Sequence, residues 1–173
     1  MSITARLTWP SLFAFVDRAT TAGYLLPLDY FRRNGIADYR TYFRETWFTG
    51  THEDAIYDVL DGRADVGAAK NTVYERLAAA DGRIARELAI LDRSPEVPEN
   101  GLAVREDVPE PVRRALKDAL TGMHGDPAGR EVLRKFGARR FVAADEADYR
   151  PVADYARALA LDLSRYDHTR GRP

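Results

Sequence analysis

Short apolar runs alternate with amphipathic stretches through the first half of the chain. Leu12–Val16 is an unbroken apolar run, typical of a strand that is buried on both faces. A helical pattern then runs from Ala22 to Asn34, and Pro27 should kink or split it. The alternation continues in predicted strands at Glu45–Phe48, Ala64–Ala69 and Leu88–Leu91 and predicted helices at Glu53–Asp61 and Thr72–Ala80.

This alternation predicts an α/β fold with a largely parallel sheet flanked by helices. The second half differs, because Ser94–Asn100 carries two prolines and should be an extended connector. Gly101–Val104 is a candidate for one more strand. C-terminal helices are then predicted at Pro111–Leu120, Pro127–Phe136 and about Ala147–Leu163.

The composition argues against several classes of protein and of binding site. A chain of 173 residues with 45% hydrophobic and 31% charged residues can form a soluble domain with a core. Its net charge of -1 gives no reason to expect nucleic-acid binding. Because the chain has no cysteine and no close histidine pair, we expect no metal and no cofactor. The first residues, MSITARLTWPSL, lack the apolar core of a secretory signal peptide.

Three junctions between a predicted strand and the next helix share a cluster of small polar residues. They read FAFVDRATTAGY, TWFTGTHEDAIY and VGAAKNTVYER. In a parallel sheet such junctions lie at the carboxyl edge, where open α/β sheets bind ligands. A helix N-terminus offers unpaired N–H groups and about half a positive charge. Three of them together would therefore form an oxyanion site without a metal.

Each junction also has a purely structural interpretation. Thr20 or Thr21 could cap the first helix, and Thr51 and Thr72 each precede an acidic residue by three positions, as in a capping box. His52 could donate a hydrogen bond to an anion or be an exposed residue of a first helical turn. The residues alone leave both interpretations open.

At these junctions the sequence resembles the PhnD-type substrate-binding proteins of ABC importers for phosphonate, phosphite or phosphate. The resemblance runs in order from about Leu12 to Tyr155. It is carried by FAFVDRATTAGYLLP, FTGTHEDAIYDVLDGRADVGAA, NTVYERL, SPEVPENGLAVRED and DPAGREVLRKFG. It implies a lobe of the type II periplasmic-binding-protein fold, a phosphorus oxyanion as ligand, an ABC permease as partner and a periplasmic or extracytoplasmic location.

The resemblance also implies the ligand-binding residues. The family pattern at the first junction is close to Asp-Pro-Ala-Ser-Thr-Ser-Gly-Tyr, and here Ala22 replaces the third hydroxyl residue and Arg18 replaces the proline. The family's Ser-Gly-Ser-His at the second junction is matched by Thr-Gly-Thr-His, so His52 is expected to donate to the phosphoryl group. The predicted ligand-binding set is Thr20, Thr21, Ala22, Thr49, Thr51, His52 and Asn71.

Relatives that bind aminated phosphonates use carboxylates near the third junction and in the connector. This chain has Lys70, Asn71, Thr72 and Asn100 there. The resemblance therefore favours phosphate, phosphite or methylphosphonate over a ligand with a primary amine.

The resemblance begins at the second lobe of a two-lobed family, so most of the first lobe is expected to be missing. This predicts four segments: residues 1–11 as an N-terminal extension or truncation scar, 12–100 as the ligand-binding lobe, 101–164 as a strand and helices that return toward the first lobe, and 165–173 as a flexible tail. A truncated gene model, a degenerate gene and a single lobe that pairs with another chain would each explain this start.

The leading hypothesis is a solute-binding component of an importer that binds without catalysis. An enzyme, such as a phosphoryl hydrolase with His52 as acid or base, would need an activated nucleophile or a metal cluster, and the sequence shows neither. The alternatives are a sensory or interaction domain that reports ligand to a partner protein, and a truncated fragment without function.

Overall fold

The computed structural model describes residues 2–5, 11–98, 101–162 and 165. These residues form β1 (Ser2–Ala5), β2 (Leu12–Phe15), a π-helical turn (Thr21–Leu25), α1 (Leu26–Arg33), α2 (Tyr39–Tyr42), β3 (Glu45–Phe48), α3 (His52–Leu60), β4 (Val66–Ala69), α4 (Asn71–Ala80), α5 (Gly82–Glu87), β5 (Ala89–Arg93), α6 (Glu110–Gly122), a 3-10 turn (Met123–Gly125), α7 (Pro127–Phe136) and α8 (Arg150–Ala158). The chain divides into two compact units, residues 1–96 with 151–173, and residues 97–150.

The first unit contains a five-stranded sheet with the order β3-β2-β4-β1-β5. β2 pairs in parallel with β3 and β4, whereas β1 is antiparallel to β4 and β5. Four of the five strands therefore run in one direction, which confirms the largely parallel sheet. The strand at Ser2–Ala5 was not among the strands predicted from the sequence. Its backbone pairs on both sides, with Val66–Ala69 and with β5.

Aromatic side chains fill the core on one face of this sheet. Phe13 and Phe15 alternate along β2 and are both 0% exposed. The ring of Phe13 lies 5.1 Å from that of Phe31 in α1 and 5.1 Å from that of Phe43, centroid to centroid. Such clusters bury large apolar areas and hold the helices against the sheet.

Proline explains the change of helix type before α1. In the π-helical turn, the Leu25 N–H donates to the Thr20 carbonyl and the Leu26 N–H donates to that of Thr21. The α-helix begins at Leu26, next to Pro27, whose ring nitrogen has no proton to donate. The change from π to α type thus lies one residue before Pro27, where the sequence predicts a kink or a split.

One prediction for the second half needs correction. Gly101–Val104, although described, forms no strand; all four residues are exposed, so burial offers nothing to favour an extended conformation. Val152 of α8, and Leu159 and Leu161 after it, pack on the aromatic core of the first unit. The predicted tail lies outside the described residues except at residue 165. Within the described ranges, no helix is both long and apolar enough to cross a bilayer.

Candidate functional site

Asp17 organises the turn that leads out of β2. Its carboxylate accepts the Ala19 N–H at 2.8 Å, and its carbonyl accepts the Thr20 N–H at 3.0 Å and the Thr20 hydroxyl at 2.6 Å. The Thr20 hydroxyl thus donates its proton to the Asp17 carbonyl, and the Thr20 side chain does not cap the following helix. The half-buried Thr21 makes no side-chain hydrogen bond within the described residues.

Gly23 allows the start of the helix to lie against the end of β2. The Val16 N–H donates to the Gly23 carbonyl at 3.2 Å. A Cβ at position 23 would lie 2.3 Å from the Cβ of Val16 and 2.7 Å from Oγ1 of Thr20. Only glycine fits this approach without displacing its neighbours.

Main-chain hydrogen bonds tie the second junction to the first. The Thr49 N–H donates to the Phe15 carbonyl at 2.9 Å, and the Gly50 N–H donates to the Val16 carbonyl at 2.9 Å. The Thr49 hydroxyl lies 3.1 Å from the Phe15 carbonyl oxygen and 2.9 Å from that of Thr51. Thr49 is therefore engaged in holding the loop. Gly50 has a φ of +81°, which favours glycine.

Thr51 caps α3, as its spacing predicts. Its hydroxyl oxygen accepts the Asp54 N–H at 3.0 Å, and its proton is donated to Oδ2 of Asp54 at 2.7 Å. Because this one hydroxyl proton is already used, the Thr51 side chain is less able to donate to a ligand.

His52 joins the second junction to the third. The Lys70 N–H donates to Nδ1 of His52 at 3.2 Å. A ring nitrogen that accepts a hydrogen bond carries no proton, so the neutral ring carries its proton on Nε2. Burial, and then the nearby charge of Lys70, lower the pKa of His52. The half-buried ring is therefore a neutral donor, and Nε2 makes no hydrogen bond within the described part of the chain.

The third junction begins a helix without a side-chain cap. Lys70 is the N-cap residue, and no side chain in the described residues caps α4. The predicted capping box at Thr72 is wrong, because the helix begins at Asn71 and places Thr72 inside its first turn. The half-buried Asn71 side chain makes no hydrogen bond within the described ranges.

The parallel pairing of β2 with β3 and β4 brings the three junctions to one edge of the sheet. Each junction contributes one half-buried donor without a partner among the described residues: the Thr21 hydroxyl, Nε2 of His52 and the Asn71 amide. Ala22 is 7% exposed and can contribute only its backbone N–H. Asn100 lies outside the described residues. Such an edge can bind a compact anion through N–H and O–H donors.

Arg18 is a residue of this edge that the predicted ligand-binding set does not contain. Its Nη1 donates to the Tyr24 hydroxyl at 3.0 Å, and its guanidinium carbon lies 5.0 Å from the centroid of the Phe48 ring. The available sequence signal was the arginine in place of the family's proline. For metals, no group of three or more His, Cys, Asp or Glu side chains that could hold an ion occurs among the described residues.

Residues 11–149 match the model of a family described as the periplasmic substrate-binding protein of the phosphonate ABC transporter. The chain belongs to this family. All seven predicted ligand-binding residues lie within the matched range. By their descriptions, the family and the relatives below are binding proteins, and the family is periplasmic.

The relatives are longer than this chain. A probable ABC transporter phosphite-binding protein, PhnD1 of Prochlorococcus marinus (strain MIT 9301), is 22% identical over 152 residues, which are 85% of this chain and 51% of the relative. The chain thus spans about half the length of this curated relative.

Two solved structures have the same fold. The structure of PhnD1 of Prochlorococcus marinus in complex with methylphosphonate has a TM-score of 0.74 and 19% identity, covering 92% of this chain and 66% of that one. A binding-protein component of an ABC phosphonate transporter from Pseudomonas aeruginosa has a TM-score of 0.71 and 23% identity, covering 89% and 55%.

Proposed function

We propose that this chain is the solute-binding component of an ABC importer and recognises a phosphorus oxyanion. One observation carries the proposal: each of the three junctions presents one half-buried donor without a partner within the described residues, namely Thr21, His52 and Asn71. The first-turn N–H groups of the helices that start there complete the donor set. Oxyanions accept several such bonds at once.

A small ligand without an amine fits the third junction best. The residues there are Lys70, Asn71 and Thr72, which offer no carboxylate for an ammonium group. Glu53, the first acidic residue of α3, is paired with Arg76 at 2.8 Å. Phosphate, phosphite and methylphosphonate are therefore the proposed ligands, in keeping with the phosphite and the methylphosphonate named in the descriptions of PhnD1 of Prochlorococcus marinus.

The proposed role is binding without catalysis, in the periplasm, with delivery to an ABC permease. Each donor side chain of the site can form a hydrogen bond with an anion, and the neutral His52 does so through its Nε2–H. The chain spans only about half the length of the curated relative, so the proposal includes a further lobe, on this or another chain, that completes the binding protein.

A thermal-shift titration of the 173-residue chain tests this proposal. Phosphate, phosphite, methylphosphonate, 2-aminoethylphosphonate and sulfate are compared at matched ionic strength. A ligand that binds only the folded state adds about 2.7 kcal/mol at about a hundred times its Kd. We expect a selective rise in Tm with one or more of the first three anions, and equal shifts with sulfate would contradict the proposal.

Point variants test the site itself. Thr21→Ala and His52→Ala should each weaken binding about tenfold, because each removes one hydrogen bond to a charged ligand. Thr41→Ala and His124→Ala are matched controls: Thr41 belongs to α2, before β3 begins, and His124 to the 3-10 turn of the second unit. If all four variants bind like the wild type, the anion does not occupy this edge.

A further inference from the structure

Arg18 occupies the turn between β2 and the first helix, two residues before Thr20. Its guanidinium carbon lies 5.4 Å from the ring centroid of Tyr24 and 5.0 Å from that of Phe48, and the two rings are 5.9 Å apart. Nη1 also donates to the Tyr24 hydroxyl at 3.0 Å. Two aromatic faces and one hydrogen bond therefore fix the position of this planar cation.

This position places a positive charge between the first two junctions. Phe48 is the last residue of β3 and directly precedes the Thr49–His52 segment, whereas Tyr24 belongs to the π-helical turn. The same two segments are joined by the main-chain hydrogen bonds of Thr49 and Gly50. Arg18 thus bridges two of the three segments whose donors form the proposed oxyanion site.

The other donors of the site are uncharged. His52 is neutral because burial and Lys70 lower its pKa, and Thr21 and Asn71 carry no charge. The attraction of a fixed cation is proportional to the charge of the ligand, so at equal distance it is about twice as large for a dianion as for a monoanion.

We propose that Arg18 sets the charge preference of the site, so that doubly charged phosphorus oxyanions bind more tightly than singly charged ones. This inference rests on the proposed function. Tyr24 is the positioning residue, because its ring and hydroxyl hold the guanidinium in place.

The test compares two ligands and several variants of the 173-residue chain by calorimetric titration at mildly alkaline pH. Methylphosphonate carries two charges there, and its monomethyl ester carries one. Arg18→Gln should weaken binding of methylphosphonate about tenfold and of the ester about threefold or less, because the lost interaction scales with ligand charge. The extra methyl group of the ester affects binding in the same way in every variant. Its effect therefore cancels when the ratio of the two affinities is compared between variants.

Two more variants test how Arg18 acts. Tyr24→Phe keeps the ring but removes the hydroxyl that accepts from Arg18, so the preference for the dianion should fall about threefold. Arg18→Lys keeps the charge, so the dianion preference should survive although affinity falls. If Arg18→Gln does not fold, Arg18→Lys is used in its place. Loss of the dianion preference in the lysine variant then overturns the inference. Arg40→Gln is the matched control, since Arg40 lies over the ring of Tyr39 in α2, 4.6 Å from its centroid.

The outcomes separate this inference from the function on which it rests. Equal weakening of both ligands by Arg18→Gln, or no weakening while His52→Ala still weakens binding, overturns the role of Arg18 and leaves the proposed function standing. If the wild type binds neither ligand nor any other phosphorus oxyanion, the proposed function and this inference both fail.

Discussion

At the residue scale, His52 shows how one main-chain contact defines the chemistry of a side chain. A histidine in a first helical turn could be a cation, a donor or an acceptor. The Lys70 N–H, 3.2 Å from Nδ1, selects the tautomer with its proton on Nε2. Burial then favours the neutral ring by lowering its pKa. Neither the contact nor the burial is visible in the motif Thr-Gly-Thr-His.

The lowered pKa of His52 predicts a pH dependence of stability. The unfolded chain takes up a proton near the ordinary pKa of 6.5, whereas the folded chain does so only at lower pH. The stability that neutral His52 contributes is therefore complete above about pH 6.5 and is lost as pH falls through the folded pKa. Urea unfolding across this range should show a steeper acid loss for the wild type than for His52→Gln. His124→Gln should keep the wild-type profile, and parallel profiles for wild type and His52→Gln would contradict the assignment.

Gly23 gives a second prediction at this scale. Gly23→Ala places a methyl group 2.3 Å from the Cβ of Val16, so the first junction must shift. We expect a loss of about 1–3 kcal/mol in the free energy of unfolding, typical of overpacking, together with weaker anion binding. Chemical denaturation and titration measure the two effects. Gly122→Ala is the control, because a Cβ there meets nothing within 4 Å, and equal stability of both variants would disprove the close packing.

At the element scale, the starts of α3 and α4 look alike in the sequence and differ in the structure. Both were predicted to begin at a capping threonine. Thr51 does cap α3, whereas α4 begins one residue before Thr72 and has Lys70 as its N-cap. The N–H of this N-cap residue, Lys70, donates to His52, a contact between distant residues that local spacing does not encode.

Variants of Thr51 therefore distinguish a helix-capping role from a ligand-binding role. Thr51→Ala should lower the free energy of unfolding by about 1 kcal/mol, and Thr51→Ser should restore it, because serine keeps the capping oxygen. Anion affinity should fall less than in His52→Ala, since the Thr51 proton is donated to Asp54. Denaturation and titration of the three variants decide this, and loss of binding without loss of stability would reverse the assignment.

The same contrast explains how much of the structure the sequence could predict. The alternating strands and helices were recognisable because each apolar run and each helical stretch carries its own period. The helix at Pro127–Phe136 was predicted at its observed bounds. In contrast, α2 and α5 are too short for a helical period, and the pairing of Ser2–Ala5 between β4 and β5 depends on distant partners. The position of Arg18 over Phe48 is likewise a contact between junctions.

At the scale of the whole molecule, the first unit is discontinuous in sequence. It combines residues 1–96 with 151–173, and α8 supplies the C-terminal part of its packing. Tyr155 and Ala156 are 8% and 3% exposed, so one side of this helix is buried. A chain segment that follows the second unit therefore stabilises the unit that carries the oxyanion edge.

This arrangement gives a prediction for the stability of the first unit. Val152, Leu159 and Leu161 pack on the aromatic core, and their joint replacement by alanine should lower the free energy of unfolding by about 3 kcal/mol, because these side chains are only partly buried. Tryptophan fluorescence follows this unit specifically, since both tryptophans precede residue 97.

The matched control replaces Val112, Leu116 and Val132 of the second unit by alanine. These side chains are 48%, 43% and 55% exposed, so we expect a change within about 0.5 kcal/mol for each. If the first set changes the fluorescence transition no more than the second, α8 and the residues that follow it do not belong to the core of the first unit.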